Sequence, residues 1–301
     1  MIEIKIKNVT VCGAGVLGTQ IAFQTSFHKF NVILYDISEE PLEKAKAKFK
    51  SLSEVYKTNL HATQQQVDQT ISRITFSTDF KEATKDADLI IEAIPENAKI
   101  KKKFYVQLGK IAPVKSIFCT NSSTLLPSMF AQETGRPERF LALHFANNIW
   151  KLNTAEIMGH KTTDPKVFDT IVEFAKAIGM IALPIYKEQP GYILNSLLVP
   201  FIRSAMALYV NDISDPATID KTWMKASGAP IGPFGICDIV GITTIYNINK
   251  MAADTKDAHA QKVVKMLQEN FIDKGKLGVP TGEGFYSYPN PAYESADFLK
   301  Q

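Results

Sequence analysis

Three glycines in the stretch "NVTVCGAGVLGTQIAF" are spaced as G-x-G-x-x-G between a predicted strand and a predicted helix. Gly13 permits a tight turn, Gly15 lets the backbone approach a pyrophosphate, and Gly18 lets the helix pack closely on the strand. The amides at the helix N-terminus then face the phosphates. A purely structural turn is the alternative. We predict instead that this turn binds a dinucleotide through Gly13, Ala14, Gly15, Val16, Leu17 and Gly18.

Asp36 stands at the end of the next predicted strand, "NVILYDIS", at about the distance from the glycine turn that dinucleotide-binding folds require. Its carboxylate can accept hydrogen bonds from both hydroxyls of an adenosine ribose. A 2′-phosphate at that place would meet the negative charge, and Ile37 and Ser38, which follow, supply no arginine to offset it. The sequence therefore predicts NAD, and not NADP, as the cofactor.

Polar residues in four further segments are candidates for chemistry on a bound substrate. Ser122 and Ser123 follow one predicted strand, in "TNSSTL", and His144 lies near the end of another, in "RFLALHFAN". Ligands bind at the carboxyl ends of strands in open α/β sheets. Glu156 lies in "NTAEIM", and Asn195 lies near the start of a predicted helix. Each of these residues taken singly is more often structural, so the residue types leave their roles open.

The elements that must position these residues alternate as strand and helix over the first part of the chain. Several of the strands are apolar throughout, which is typical of a sheet covered on both faces. This pattern predicts an α/β fold of the Rossmann type, with a doubly wound, mostly parallel sheet. After "YKEQPGY" the apolar positions recur with helical spacing. We therefore predict an NAD-binding domain at residues 1–187 and an all-helical C-terminal domain at residues 188–301.

Composition and charge narrow the class of protein. The 301 residues are 45% hydrophobic and carry a net charge of +3, which gives no reason to expect a nucleic-acid partner. Cys12, Cys119 and Cys237 form no C-x-x-C pair, so we expect neither a disulfide framework nor a metal site. The start, "MIEIKIKN", is too short and too charged for a signal peptide, and no continuous apolar run reaches ~18 residues. We therefore expect a cytoplasmic location and no membrane partner.

Seven stretches of the chain together resemble the 3-hydroxyacyl-CoA dehydrogenase family, the short two-domain enzymes that include the 3-hydroxybutyryl-CoA dehydrogenases. The stretches are "GAGVLG", "ADLIIEAIPEN", "TNSSTL", "RPERFLALHF", "QPGYILNSLLVP", "GAPIGPFGICDIVG" and "TGEGFYSY". They run nearly from end to end and are jointly more specific than the glycine turn. The resemblance implies NAD-dependent oxidation of a short-chain 3-hydroxyacyl-CoA to the 3-ketoacyl-CoA, in fatty acid metabolism. It also implies a homodimer formed through the C-terminal domains.

The resemblance assigns catalytic roles to four positions. The family's base falls on His144, its carboxylate partner on Glu156, the serine of the turn on Ser123, and the asparagine that opens the second domain on Asn195. These residue types suit the chemistry, because an alcohol must lose its O–H proton while the hydride leaves for NAD. Glu156 would orient the imidazole and stabilise its protonated form, and the other two side chains would position substrate oxygens.

The resemblance also implies contacts to the cofactor and to coenzyme A. The implied cofactor contacts outside the glycine turn are Asp36, Glu96, Lys101, Ser123 and Asn147, and the implied acyl-CoA contacts are Ser51, Lys57 and Lys101. Lysines alternate at positions 44, 46, 48 and 50. They form either a solvated helix face or a charged stripe that attracts the phosphates of coenzyme A.

The sequence departs from the family pattern at four positions. Ala146 replaces an aromatic residue, Asn148 a proline, Ser196 a common arginine, and Pro280 a lysine that contacts the cofactor in some members. Ala146 and Trp150 could reshape the acyl site. Two alternatives therefore stay open. One is an NAD-dependent dehydrogenase of a CoA-free hydroxy acid such as carnitine or gulonate. The other is a non-catalytic NAD-binding protein, and the intact pair of His144 and Glu156 argues against it.

Overall fold

The computed structural model describes residues 5–254 and 257–300. The strands in this part of the chain are β1 (Asn8–Cys12), β2 (Asn31–Tyr35), β3 (Ile74–Ser77), β4 (Leu89–Glu92), β5 (Ile117–Thr120), β6 (Phe140–Phe145), β7 (Thr154–Met158) and β8 (Ile181–Ile185). The α-helices are α1 (Val16–Phe27), α2 (Glu39–Leu60), α3 (Gln64–Ser72), α4 (Phe80–Thr84), α5 (Ala98–Ile111), α6 (Pro165–Ala177), α7 (Tyr192–Val210), α8 (Pro216–Ser227), α9 (Pro233–Val240), α10 (Ile242–Ala253) and α11 (Ala258–Asn270).

All eight strands form one sheet in the order β3-β2-β1-β4-β5-β6-β7-β8. Neighbouring strands are parallel except β6 and β7, which are antiparallel. Because β1 pairs with both β2 and β4, the strand order reverses between β1 and β4, where an open α/β sheet forms a ligand crevice at its carboxyl edge. The predicted fold class, a doubly wound and mostly parallel sheet followed by a helical region, is confirmed.

Apolar residues on the central strands face both sides of the sheet. Successive side chains of a strand point to opposite faces, so Ile91 joins one apolar cluster and Ile90 another. Cys119 and Phe118 divide between the same two clusters. Helices cover both faces, which explains why these strands are apolar throughout rather than alternating with polar residues.

The chain divides into two compact units, Met1–Ile193 and Leu194–Gln301. The predicted boundary at 187/188 lies a few residues earlier. The first turn of α7 accounts for the difference, because the Tyr192 ring packs on His144 and the Ile193 N–H donates to Glu156. These contacts attach the start of α7 to the sheet, although the rest of that helix belongs to the second unit.

Two buried carboxylates join the segment after α11 to the helices of the second unit. Asp220 accepts hydrogen bonds from the Phe234 N–H at 2.8 Å and from the Tyr286 hydroxyl at 2.9 Å. Asp238 accepts from the N–H groups of Phe285 and Tyr286, both at 2.8 Å. Burial raises the pKa of both carboxyls above the usual value, despite these hydrogen bonds.

One helix among the described residues, α7, is long and apolar enough by length and composition to cross a membrane, with a mean hydropathy of 1.6. The helix contains no continuous apolar run of ~18 residues, because Asn195, Pro200 and Arg203 interrupt it. Core helices of soluble proteins meet the same criterion. Within the described residues, 17% of the apolar window is buried.

Candidate active site

The glycine turn connects β1 to α1, and its three glycines face different constraints. Gly13 has a φ of +107°, and a Cβ there would collide with the carbonyl oxygen of Ala93. A Cβ on Gly18 would collide with the Gly13 carbonyl oxygen. A Cβ on Gly15, in contrast, would meet no atom within 4 Å. Packing within the chain therefore explains why Gly13 and Gly18 must be glycine, whereas the open space at Gly15 suits the approach of a ligand.

Asp36 lies next to the glycine turn and is held there by backbone amides. Its Oδ2 accepts from the Ala14 N–H at 2.7 Å, and its Oδ1 accepts from the Ile37 N–H at 2.8 Å. Of the other turn residues, Leu17 is half-buried against the core and Val16 is exposed. The carboxylate thus stands at the carboxyl end of β2, where the predicted ribose contact requires it.

A cleft of about 660 Å³ opens beside this turn. Its walls are mostly apolar, as the adenine ring of a dinucleotide requires. Its lining includes Gly13, Gly15, Asp36, Tyr35, Phe80, Ile100 and Phe104. An open backbone turn at a helix N-terminus, a carboxylate at the end of β2 and an apolar wall together fit NAD.

His144 and Glu156 form a buried pair across two antiparallel strands. They are direct partners in the β6–β7 register, and residues directly opposite on one face have Cβ atoms about 4.5–5.5 Å apart. His144 Nδ1 lies 2.9 Å from Glu156 Oε2. An ionised carboxylate can only accept a hydrogen bond, so Nδ1 carries the proton. The antiparallel pairing of β6 with β7 thus places the carboxylate at Nδ1, and Nε2 is left as the basic nitrogen of the ring.

Ser123 faces that nitrogen, and the start of α7 supports the pair from another side. Ser123 Oγ lies 3.1 Å from His144 Nε2. The Ile193 N–H donates to Glu156 Oε1 at 2.8 Å, so each oxygen of the carboxylate has a partner. The Tyr192 ring lies 4.6 Å from the imidazole, centroid to centroid, at 32°. Sequence reasoning missed Tyr192 and the Ile193 amide, although the quoted stretch "QPGYILN" contains both.

Lys101 is enclosed by the chain. Its side chain is 1% exposed, its ammonium pairs with Glu92, and it lies 3.4 Å from Glu96 Oε2. The Ile94 carbonyl oxygen accepts a second hydrogen bond from it at 3.4 Å. The ammonium is thus paired with two carboxylates and one carbonyl oxygen of the chain. The contacts of Lys101 to the cofactor and to acyl-CoA stay a prediction.

Glu96 is bound to the turn that follows β5. Its Oε1 accepts from the Ser122 hydroxyl, and from the N–H and hydroxyl of Thr124 at 3.0 and 2.8 Å. Burial alone would raise the pKa of Glu96, but these hydrogen bonds and the charge of Lys101 outweigh it and hold the pKa below the usual value. Glu96 is therefore an ionised group that organises the turn carrying Ser123.

The predicted coenzyme A contacts lie on α2. Ser51 is exposed, and its hydroxyl donates to the Lys48 carbonyl oxygen at 2.8 Å. Lys57 pairs with Glu54 at 3.0 Å. In the lysine stripe, the ammonium groups at positions 44 and 46 pair with glutamates of the same helix, each at 2.6 Å. These pairs favour the interpretation of the stripe as a solvated helix face.

The remaining candidates lie directly after β6 or in α7. Asn147 is exposed directly after β6, and Asn195 lies in α7, within the second unit. Trp150 is half-buried against the main core cluster, with its ring 6.1 Å from that of Tyr56. Across residues 5–254 and 257–300, no group of three or more His, Cys, Asp or Glu side chains is placed to hold a metal ion.

Comparison with known proteins gives the same family over both units. Residues 8–189 match the NAD binding domain of 3-hydroxyacyl-CoA dehydrogenase, and residues 191–288 match its C-terminal domain. The human mitochondrial hydroxyacyl-coenzyme A dehydrogenase is 35% identical over 296 residues, which cover 95% of this chain and 92% of that protein.

Two solved structures have the same fold along nearly the whole chain. A diketoreductase, described in terms of dual catalysis of dicarbonyl compounds, has a TM-score of 0.91 and 52% identity, covering 94% of this chain and 99% of its own. The (S)-3-hydroxybutyryl-CoA dehydrogenase of Ralstonia eutropha has a TM-score of 0.81 and 26% identity, covering 95% and 100%. The chain therefore belongs to the 3-hydroxyacyl-CoA dehydrogenase family, and its first part is that family's NAD-binding domain.

Proposed function

We propose that this protein transfers a hydride between NAD and a 3-hydroxyacyl compound, with a short-chain 3-hydroxyacyl-CoA as the first candidate substrate and the 3-ketoacyl-CoA as product. The buried His144–Glu156 pair, with Ser123 at the free ring nitrogen, is the observation that carries this proposal. The glycine turn, Ser123 and His144 all lie at or just past the carboxyl ends of strands parallel to one another. They therefore share one edge of the sheet.

The mechanism assigns a separate task to each side chain. NAD held by the glycine turn and Asp36 would supply the acceptor for the hydride of the carbinol carbon. His144 Nε2 takes the hydroxyl proton, and Glu156 keeps the other proton on Nδ1 and stabilises the imidazolium. The Ser123 hydroxyl donates a hydrogen bond to the reacting oxygen. General acid–base assistance of this kind contributes about 10²–10⁴-fold to the rate.

A CoA-free dicarbonyl compound is the second candidate substrate, and the 52% identity to a diketoreductase favours it. The charges of α2 point the same way, because several of its lysines already pair with glutamates of that helix. The buried ammonium of Lys101 is likewise occupied. The departures from the family pattern at Ala146 and Asn148 are also compatible with a substrate other than a CoA ester.

The two candidates are distinguished by following NADH absorbance with acetoacetyl-CoA and, in parallel, with CoA-free β-diketones and β-keto acids. Turnover of acetoacetyl-CoA at far higher kcat/KM supports the first candidate, and the reverse order supports the second. His144→Gln is the control, because it removes the base but leaves the glycine turn intact. Wild-type protein that oxidises NADH with neither class would refute the proposed function.

We further propose that the protein is a cytoplasmic homodimer whose interface involves the second unit, and that with a CoA substrate it serves fatty acid metabolism. The apolar surface of α7 supports the dimer, since Leu194, Leu197 and Leu208 are exposed. All three cysteines are free and buried, which suits a reducing compartment. Light scattering that gives the mass of one chain at micromolar concentration would refute the dimer. Localisation of a tagged chain outside the cytoplasm would refute the compartment.

A further inference from the structure

Glu92 is a fully buried carboxylate at the end of β4, an otherwise apolar strand. Its Oε1 accepts from the Ile94 N–H at 3.0 Å and from the Lys101 ammonium. Its Oε2 accepts from the hydroxyls of Tyr105 at 2.9 Å and Thr120 at 2.8 Å. A buried charge is costly unless it is paired and hydrogen-bonded. Four donors around one carboxylate meet that condition and fix its position.

One path leads directly from this carboxylate to the turn that carries Ser123. The Thr120 hydroxyl has a single proton, which it donates to Glu92. Its oxygen then accepts from the Ser122 N–H at 3.2 Å. Thr120 is the last residue of β5, so this hydroxyl fixes the direction in which the chain leaves the strand.

A second path runs through Lys101 and Glu96. Lys101 bridges the carboxylates of Glu92 and Glu96, and Glu96 accepts from the Ser122 hydroxyl and from Thr124 on both sides of Ser123. The turn is thus held at its entry and at its exit. Ser123 itself is left to face His144 Nε2 at 3.1 Å.

We infer that Glu92 and Thr120 are positioning residues, which hold the Ser122–Thr124 turn so that the Ser123 hydroxyl stays at the basic nitrogen of His144. In this arrangement Lys101 acts as an internal counterion, which explains why it is enclosed. The inference rests on the proposed function for its catalytic consequence, although the geometry that it concerns can be measured without any substrate.

Thr120→Val tests the direct path, because it removes the hydroxyl and keeps the shape of the side chain. Displacement of a reacting group by about 1 Å can cost on the order of 100-fold, so we expect kcat to fall about 10- to 100-fold with NAD affinity unchanged. Thr120→Ser restores the hydroxyl and should restore most of the kcat. The matched control is Thr84→Val, which also removes a fully buried threonine hydroxyl, one that donates to the Phe80 carbonyl oxygen within α4 and does not contact the turn, and should keep near-wild-type kcat.

A double-mutant cycle separates positioning from loss of stability. In a Ser123→Ala background there is no hydroxyl left to position, so Thr120→Val should cause little further loss of kcat. Equal loss of kcat in Thr120→Val and Thr84→Val, or full additivity with Ser123→Ala, would overturn the inference.

A substrate-free measurement keeps the inference testable if the proposed substrates fail. The His144 ring nitrogens can be observed by ¹⁵N NMR, with His144→Gln identifying the signals. Thr120→Val should shift the Nε2 signal in the direction that Ser123→Ala shifts it, and Thr84→Val should leave it in place. If Ser123→Ala shifts the Nε2 signal and Thr120→Val does not, the positioning role is refuted, whatever the enzyme's substrate.

Discussion

Glu156→Gln should inactivate the enzyme while barely changing the shape of the site. The glutamine carbonyl can still accept the Ile193 N–H, which now donates to Oε1 at 2.8 Å. The NH₂ group must then face His144 Nδ1, at the place of the oxygen that now lies 2.9 Å away. An amide NH₂ donates, so Nδ1 becomes an acceptor and the ring proton moves to Nε2. The nitrogen facing Ser123 then carries a proton and cannot accept one from the substrate.

The expected magnitude combines this tautomer change with the lost charge. A hydrogen bond to a charged group contributes about 1.5–3 kcal/mol, and every ~1.4 kcal/mol is a factor of ten in rate. Tautomer inversion in a comparable carboxylate–histidine pair costs about 10⁴-fold. We therefore expect kcat to fall between about 10²- and 10⁴-fold, with NAD affinity unchanged because the glycine turn is not altered.

The assay follows NADH absorbance under saturating cofactor, with NAD affinity measured separately by calorimetry. Glu188→Gln is the matched control, since that partly buried carboxylate also accepts a backbone N–H, from Ser128 at 2.8 Å, and makes no contact with His144. The control should keep wild-type kcat. Wild-type turnover in Glu156→Gln would refute the tautomer argument and the assignment of His144 as the base.

The remaining predictions concern the cofactor and the second unit. Gly15→Ala should keep the wild-type melting temperature, because the new methyl meets no atom of the chain, and should weaken NAD binding in a titration; unchanged affinity would contradict the role of Gly15. Asp36→Ala should weaken NAD binding and reduce the difference between the affinities for NAD and NADP. If the wild-type protein binds NAD and NADP with equal affinity, the cofactor assignment is contradicted. Asp238→Ala should lower the free energy of unfolding by about 2–5 kcal/mol in urea denaturation, because the buried amides of Phe285 and Tyr286 lose their acceptor; wild-type stability would show that other acceptors replace it.

The glycine turn and the fold class could be predicted because their signals are local. Strand, turn and helix follow one another within residues 8–27, and the spacing of Gly13, Gly15 and Gly18 reports the packing of adjacent elements. The apolar strands likewise reveal a sheet covered on both faces. Such features depend on neighbours in the chain, which a sequence displays directly.

The environment of Lys101 could not be predicted in the same way. Its partner Glu92 stands on a different element, and only the packing of α5 on the sheet brings the two side chains together. A signal was present, since a glutamate inside the apolar run "ADLIIEAIP" requires a buried partner. The sequence does not say which cation supplies it, because every lysine of α5 is compatible with the helical pattern.

The pairing of His144 with Glu156 has a consequence for how this site can change. A slip of one residue between β6 and β7 would turn the carboxylate to the opposite face of the sheet, so strand register protects the acid–base chemistry. The connecting segment, residues 146–153, contributes no atom to that pairing. Substitutions at its exposed positions, such as Asn147, can therefore accumulate without turning the carboxylate away from the histidine. The proton-transfer pair is specified by how two strands align and not by the segment that joins them, so it can outlast changes in that segment, provided that the core contacts of Ile149 and Trp150 are kept.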